Sequence, residues 1–377
     1  MPIIETLKHV FKVIYAPRKA FNEIVQNPKY AGPLLILILF AVASIGAQYA
    51  QSTKVYLQQT APSSLDGTDP WTEDYAMWES NGNITSNTQD RIFGYKSVQF
   101  NVTSDAAIWM KLNNIGSINC SGNSGYVNLT FSMKWINPTA NKPLNASLYL
   151  YSRGAADYFY HNLTEAVSQS SSETWNNFTI PVGSTAVQWT NSSVNADWSN
   201  ITSLKLDLVW SEVAESNLGL LIDKLFFQSQ NFEPLANLFG VYAVTIVFNS
   251  ITNFVFVWML LSIVLLVISR ISHFKAEFKT FLIIIGYALI VMFVMQIVLS
   301  IFYLSLPALY VYIDTVVPNE TLQTIVTFSS VITLLFPIWS LIISAIGVSV
   351  ASKLPMSKSL IIATVTFLPY YLLLLFV

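Results

Sequence analysis

Tyr149 and Tyr151 alternate with Leu148 and Leu150, so on an extended strand the two rings share the face opposite the leucines. Exposed aromatic rings of this kind stack on the apolar faces of sugars, and Trp109 and Trp189 extend the candidate set. Trp135, Trp175 and Trp198 are assigned instead to a core. Asp90, Asp105 and Asp223 carry the hard oxygen ligands that a structural calcium takes, although no compact Asp/Asn loop gathers them. No other cofactor is expected. Asp157 with Glu165, or Glu212 with Glu215, can be imagined as a hydrolytic carboxylate pair, against the commoner role of solvated surface acids.

Other chemistry is excluded by what the chain lacks. His9, His161 and His273 have no metal-ligand spacing, and the single cysteine, Cys120, rules out an internal disulfide framework. There is no Gly-x-Ser-x-Gly elbow, no His-Glu-x-x-His and no phosphate loop, so the expectation is not an enzyme. A net charge of -2 provides no basic surface for nucleic acid.

Ten Asn-x-Ser/Thr acceptors follow a second pattern: Asn83, Asn101, Asn119, Asn128, Asn145, Asn162, Asn177, Asn191, Asn200 and Asn319. Such sites carry glycan only on the non-cytoplasmic face of a membrane. Nine of them fall in one polar stretch, where Asn101, Asn128 and Asn177 sit out of phase with buried positions and point to solvent.

The elements that position these residues follow from hydropathy. Hydrophobic residues make up 53% of the 377 and charged ones only 11%, against about 25% charged in a soluble protein. Apolar blocks at 33–50, 239–268, 281–304, 323–350 and 359–377 each suffice for a helix across the bilayer core. Basic residues collect on one side of five such spans: Lys8, Lys12, Arg18, Lys19, Lys29, Arg270, Lys275, Lys279, Lys353 and Lys358. Against Glu5, Glu23 and Glu277 they leave that side at +7 and the other at -9. The positive-inside rule then makes the N-terminus cytoplasmic, with 51–238 and the C-terminus outside, at a plasma membrane.

Between the first two spans the composition turns to Asn, Ser, Thr and Trp. Residues 51–71 read as a stalk, 72–229 as a domain and 230–238 as a linker. Val127, Leu129, Phe131, Met133 and Trp135 alternate with polar residues, as a strand with one buried face requires. The same period recurs at Val98/Phe100/Val102, Ile108/Met110/Leu112, Leu148/Leu150, Phe178/Ile180/Val182, Leu204/Leu206/Leu208/Trp210 and Leu220/Ile222. Seven or more short strands predict an antiparallel sandwich. Ahead of the first span, residues 1–32 hold Ile4, Leu7, Val10, Phe11, Ile14 and Tyr15 at helical spacing beside Lys8, Lys12 and Lys19. That is an amphipathic helix suited to a lipid interface, broken at Pro17 and followed by a short helix at 18–26.

Two resemblances add to this reading. The run Tyr15-Ala-Pro-Arg-Lys-Ala-Phe to Tyr30-Ala-Gly-Pro-Leu, with Gly286-Tyr287-Ala288 and the 353–360 segment, resembles the Yip family of five-span proteins named for interaction with Rab-type GTPases. That likeness covers 2–50 and 240–377, and implies membrane organisation or trafficking. The family often has proline soon after Gly-Tyr-Ala, where Ile290 and Val291 stand here, so local helix geometry is the point of departure. Trp78-Glu-Ser-Asn-Gly-Asn, Thr174-Trp-Asn-Asn-Phe-Thr-Ile-Pro, Asp197-Trp-Ser-Asn-Ile-Thr and Leu221-Ile-Asp-Lys-Leu-Phe-Phe resemble the galactose-binding-like jelly rolls of carbohydrate-binding modules.

The combined expectation is an α-helical membrane protein with five transmembrane helices and an inserted all-β extracellular jelly-roll sandwich. It would contact membrane lipid, carry N-linked glycans and recognise a surface glycan or envelope protein. Dense acceptors without disulfides suit an archaeal-like surface. A transport component that presents a sugar or peptide to the spans, and a surface scaffold pairing with neighbouring proteins, remain as alternatives.

Overall fold

The computed structural model describes residues 2–64, 67–122, 124–138, 141–211, 218–272, 277–313 and 320–376. Asn319, the Glu212/Glu215 pair, His273 and Lys275 lie outside the described residues. The chain forms two units, one built mainly on residues 57–233 and the other on the residues before and after them.

The helical unit begins with α1 (Pro2–Tyr15), α2 (Pro17–Gln26) and α3 (Ala31–Ser52). Two short helices, α4 (Pro70–Glu73) and α5 (Thr164–Gln169), belong to the other unit. The remainder are α6 (Phe239–Ile271), α7 (Phe278–Ala288), α8 (Ile290–Ser305), α9 (Glu320–Ser352) and α10 (Met356–Phe376). Four stretches among the described residues are long and apolar enough to cross a membrane: Ala31–Ser52, Leu235–Ile271, Phe278–Ser305 and Gln323–Ser352. The bundle is that of a multi-pass membrane protein. The apolar block at 281–304 is two helices with a turn at Leu289 between them, so the chain breaks the helix here without a proline.

In α1, Val10 and Val13 are fully buried in the bundle core, while Ile4, Leu7, Phe11 and Tyr15 form an exposed stripe. The helix therefore has two apolar faces rather than the single one its spacing suggests. Helices in such a bundle approach closely where side chains vanish. A Cβ on Gly347 would meet Ile284 at 2.5 Å, and one on Gly286 would meet Pro33 at 2.6 Å.

The second unit is a sandwich of antiparallel sheets. Its strands are β1 (Val55–Ala61), β2 (Trp78–Ser80), β3 (Asn83–Asn87), β4 (Ser97–Val102), β5 (Ala107–Leu112), β6 (Tyr126–Ile136) and β7 (Asn145–Gly154). They continue with β8 (Asp157–Asn162), β9 (Asn176–Pro181), β10 (Thr190–Asn191), β11 (Ser203–Val209) and β12 (Leu218–Pro234). One sheet runs β3-β4-β12-β6-β9, with β1 also on β12; the other runs β10-β8-β7-β11-β5-β2. All seven alternating runs are strands, and their in-phase residues, Phe100, Met110, Trp135, Leu150 and Leu206 among them, fill one core.

Two stretches differ from expectation. Residues 51–71 contain β1, whose Gln58 side-chain amide donates to the Ser229 carbonyl at 2.9 Å, so this is no free stalk. Residues 230–238 continue β12 to Pro234 and close with a 3-10 turn, Leu235–Leu238. On β6 the out-of-phase Thr130 and Ser132 are also buried, because their hydroxyls bond to the Phe226 carbonyl and to Asn177.

Candidate functional site

The outer face of the β8-β7-β11-β5 sheet gathers the aromatic candidates. Register places Glu79, Lys111, Lys205, Tyr149, Tyr160 and Thr190 in one cross-strand row. The neighbouring rows pair Trp109 with Asp207 and Tyr151 with Tyr158. Because side chains alternate, Leu148, Leu150, Leu204 and Leu206 hold the same strands from below, so the core orients the face.

Tyr149 and Tyr151 lie 6.5 Å apart between ring centroids at an interplanar angle of 24°, and each packs on Tyr158. Lysines lie over these rings: Lys111 Nζ is 5.1 Å from the Tyr151 centroid, and Lys205 Nζ is 5.4 Å from Trp109 and 5.5 Å from Tyr149. Lys205 also pairs with Asp207 at 3.1 Å. Burial raises the Tyr149 and Tyr151 hydroxyls above their ordinary value, so both stay protonated donors at neutral pH. The face thus presents half-buried aromatic rings edged by two ammonium groups and a carboxylate. Tyr158 and Tyr160 join it on β8, a strand whose weaker alternation did not single them out.

Trp189 does not join this face. It is only 9% exposed, donates from Nε1 to the Pro181 carbonyl at 2.7 Å and packs edge-on against Trp198. It is a core residue, held there by an indole N–H that finds a buried acceptor. Trp135 is buried as expected, whereas Trp175 and Trp198 are half-buried; Trp198 stacks on Phe159 at 3.8 Å.

The three aspartates proposed for calcium do not converge. Asp90 binds Lys134 at 2.7 Å and Trp175 Nε1 at 2.8 Å. Burial alone would raise its carboxyl, but the Lys134 ammonium and the indole N–H outweigh that and hold it low. Asp105 caps its own turn through the Ala106 and Ala107 amides. Asp223 is fully buried and accepts from the backbone N–H groups of Ile92, Phe93 and Lys224. Among the described residues no group of three or more His, Cys, Asp or Glu is placed to hold a metal.

The partner of Asp223 is one that sequence reasoning missed. Asp69, also fully buried, caps α4 through the Trp71 amide, accepts from Thr72 Oγ1 at 2.8 Å and takes the Leu225 N–H at 2.6 Å. Thr72 Oγ1 lies 3.5 Å from Asp223. Between Asp223 and Phe226 the β12 register shifts, so these carboxylates satisfy amides that the bulge removes from the ladder. Burial raises both, Asp69 to about 7, despite those hydrogen bonds.

Asp157 accepts from Ser193 at the start of β8, while Glu165 lies beyond its other end on α5, so the strand separates the imagined carboxylate pair. His9 Nε2 sits 3.2 Å from Glu23 and His161 bonds the Gln188 carbonyl. Of the nine described glycan acceptors, Asn83, Asn119, Asn145, Asn162, Asn177 and Asn191 are exposed and Asn101, Asn128 and Asn200 half-buried.

Residues 207–377 match the Yip1 domain, so the likeness includes β12 and the helices after it but not the segment at 2–50. Similar solved structures include a carbohydrate-binding module of the β-sandwich superfamily, described for promiscuous specificity, at 12% identity and a TM-score of 0.28 over 42% of this chain and 59% of that one. A family 11 carbohydrate-binding module from Clostridium thermocellum, in complex with a mixed-linked tetrasaccharide, shares 10% identity, with a TM-score of 0.30 over 43% of this chain and 95% of that one. A family 30 module of a cellulosomal cellulase from the same organism shares 11%, with a TM-score of 0.31 over 41% and 92%. This chain thus spans 59% of the first and nearly all of the other two. No curated protein sequence matches the chain.

Proposed function

We propose that this chain is a non-enzymatic, multi-pass cell-surface membrane protein whose β-sandwich recognises glycans through the outer face bearing Tyr149, Tyr151, Tyr158, Tyr160 and Trp109. The observation that carries this reading is the cross-strand register itself, which sets four tyrosines and a tryptophan side by side on one half-buried face. Lys111, Lys205 and Asp207 supply hydrogen-bonding groups at the edges of the rings. A ligand reaches the ring faces by displacing the lysines, which costs little, since an exposed cation–π contact is worth about 0.5–1 kcal/mol.

The Yip1 match and the helices of span length support a role for the bundle in membrane organisation or trafficking. In this reading α10, 21 residues long, is the fifth span. The N-terminus is cytoplasmic, and the exposed stripe Ile4, Leu7, Phe11 and Tyr15 rests in the inner interface. The sandwich stands outside and carries N-linked glycans, in accord with the basic flanks and with nine described acceptors none of which is buried.

The test is binding of the full-length, detergent-solubilised protein to a panel of surface glycans, before and after removal of its own glycans. Saturable binding that disappears with Tyr149→Ala plus Tyr151→Ala is the expected result. Absence of binding, or equal binding by the double variant, would reject the face as the site and leave the sandwich as a scaffold.

A further inference from the structure

Within the spans lies a cavity whose lining is out of keeping with hydrocarbon. It measures about 420 Å³ and is lined by Phe40, Ser44 and Gln48 of α3, Asn249, Ser250 and Asn253 of α6, and Gln296 of α8, with Ile246 at its edge. Helical geometry explains the convergence: 40, 44 and 48 form one stripe on α3, and 246, 249/250 and 253 form another on α6. At 1.5 Å per residue, Gln48, Ser44 and Phe40 lie about 6, 12 and 18 Å from the end of α3 that leads into the sandwich. The groove therefore occupies the half of the bilayer on that side.

Its amides are unpaired. Ser44 is satisfied by the Phe40 carbonyl, but the side chains of Gln48, Asn249, Asn253 and Gln296 have no hydrogen-bond partner among the described residues. Polar positions on these spans are expected to bond between helices. These do not; Gln48, Asn249 and Asn253 are exposed instead. Free amides facing hydrocarbon carry the full desolvation penalty, so the groove needs a polar occupant.

The lining specifies that occupant. It contains no Asp, Glu, Lys, Arg or His, so it offers nothing to neutralise a phosphate or an ammonium. Amides and hydroxyls both donate and accept, as do hydroxyl groups, and they also donate to ester carbonyls. The volume far exceeds the ~10–15 Å³ that one water requires. One turn deeper on α6, Phe256 is 54% exposed and offers an apolar surface below the amides. A polar upper part over an apolar lower part matches an amphiphile with an uncharged, hydroxyl-bearing head.

We infer that this groove binds the neutral polar head of a membrane lipid from the leaflet on the sandwich side, the amides taking its hydroxyl and ester oxygens. The inference rests on the assignment of α3, α6 and α8 as spans and is independent of glycan binding by the sandwich. It adds a lateral lipid site to a bundle whose sequence shows only scattered polar residues.

The experiment uses full-length protein in nanodiscs containing a photoactivatable diacylglycerol, with label mapped by mass spectrometry. Label is expected on the peptides holding Asn249, Asn253 and Gln296, displaced by unlabelled diacylglycerol and not by phosphatidylglycerol. Asn249→Leu plus Asn253→Leu, removing two hydrogen-bonding groups, should reduce it at least ~10-fold, while Ser330→Leu, an exposed polar site on α9, should leave it unchanged. Equal labelling of the double variant, or equal displacement by both lipids, would overturn the inference. So would a double variant of higher thermal stability together with unlabelled wild-type protein, which would show a cavity holding water alone. If the double variant does not fold, the competition on wild-type protein decides the question by itself.

Discussion

The ring of Tyr287 lies on the backbone of Gly32: a Cβ placed at Gly32 would sit 2.0 Å from both the ring carbon Cζ and the hydroxyl oxygen. The adjoining pair repeats the relation in reverse, with Pro33 against Gly286. The start of α3 and the C-terminal end of α7 are thus keyed together by two glycines on opposite helices. Gly32→Ala overpacks this contact and should cost about 1–3 kcal/mol of bundle stability. Pairing it with Tyr287→Leu should recover part of the loss. Thermal unfolding of the four proteins of this double-mutant cycle measures the coupling, and additive effects would mean that the two residues do not share the contact.

The buried carboxylates give the sandwich an unusual pH dependence. The ordinary value for Asp69 is 3.8 and burial raises it to about 7, so between these values the folded state holds a proton that the unfolded chain has lost. Stability on this account falls as pH rises from about 4 to 7, and Asp223 acts in the same direction. Asp90 and Asp197 have lowered values and oppose it only in acid, where their contribution is lost as pH falls through those values. Eight of the ten tryptophans lie in the sandwich, so their fluorescence reports its melting. The transition should be several degrees higher at pH 5 than at pH 8, at about 2–4 °C per kcal/mol, and Asp69→Asn should flatten the difference.

Cys120 should be inert in the native protein. It is 3% exposed, and burial pushes its thiol up to about 12, leaving almost no thiolate to react. Alkylation by iodoacetamide at pH 8 should be absent from folded protein and complete after denaturation. Labelling of native protein as fast as that of a free thiol would contradict the burial.

Glycan occupancy should follow exposure. Asn200 accepts from Ser117 at 2.6 Å and Asn101 from Gln99, and both are half-buried, as is Asn128 in mid-strand. Site-by-site mass spectrometry should find these three less occupied than Asn83, Asn119, Asn145, Asn162, Asn177 and Asn191. Full occupancy of Asn128 would count against exposure as the determinant, and glycan at none of the nine would count against the outward placement of the sandwich.

Much of the fold is legible in residue patterns because local physics sets it. Continuous apolar runs cannot stay in water, and the Val127–Trp135 alternation sets its large apolar side chains on one face, so the span segments and seven strands follow from period alone. β1 is different, since Val55–Ala61 has little period of its own and is a strand because Gln58 and its neighbours meet Ser229 at the far end of the domain. Tyr149 and Tyr151 announce a shared face through two-residue alternation. Trp189, set among turns, has no period to place it, and only its buried bond to Pro181 does.

Residue types and spacing by themselves determined that the chain alternates between membrane and aqueous segments, which stretches are helical or extended, and which side of each strand is apolar. Those are properties of a few neighbouring residues and their transfer to water or hydrocarbon. Only the tertiary structure decided that Asp69 shares Thr72 with Asp223, that Tyr158 and Tyr160 complete the aromatic face, and that Gln48, Asn249, Asn253 and Gln296 open into one groove. Each of those relations joins residues from distant elements, and their meeting depends on strand register and on the rotation of packed helices, which no local pattern encodes.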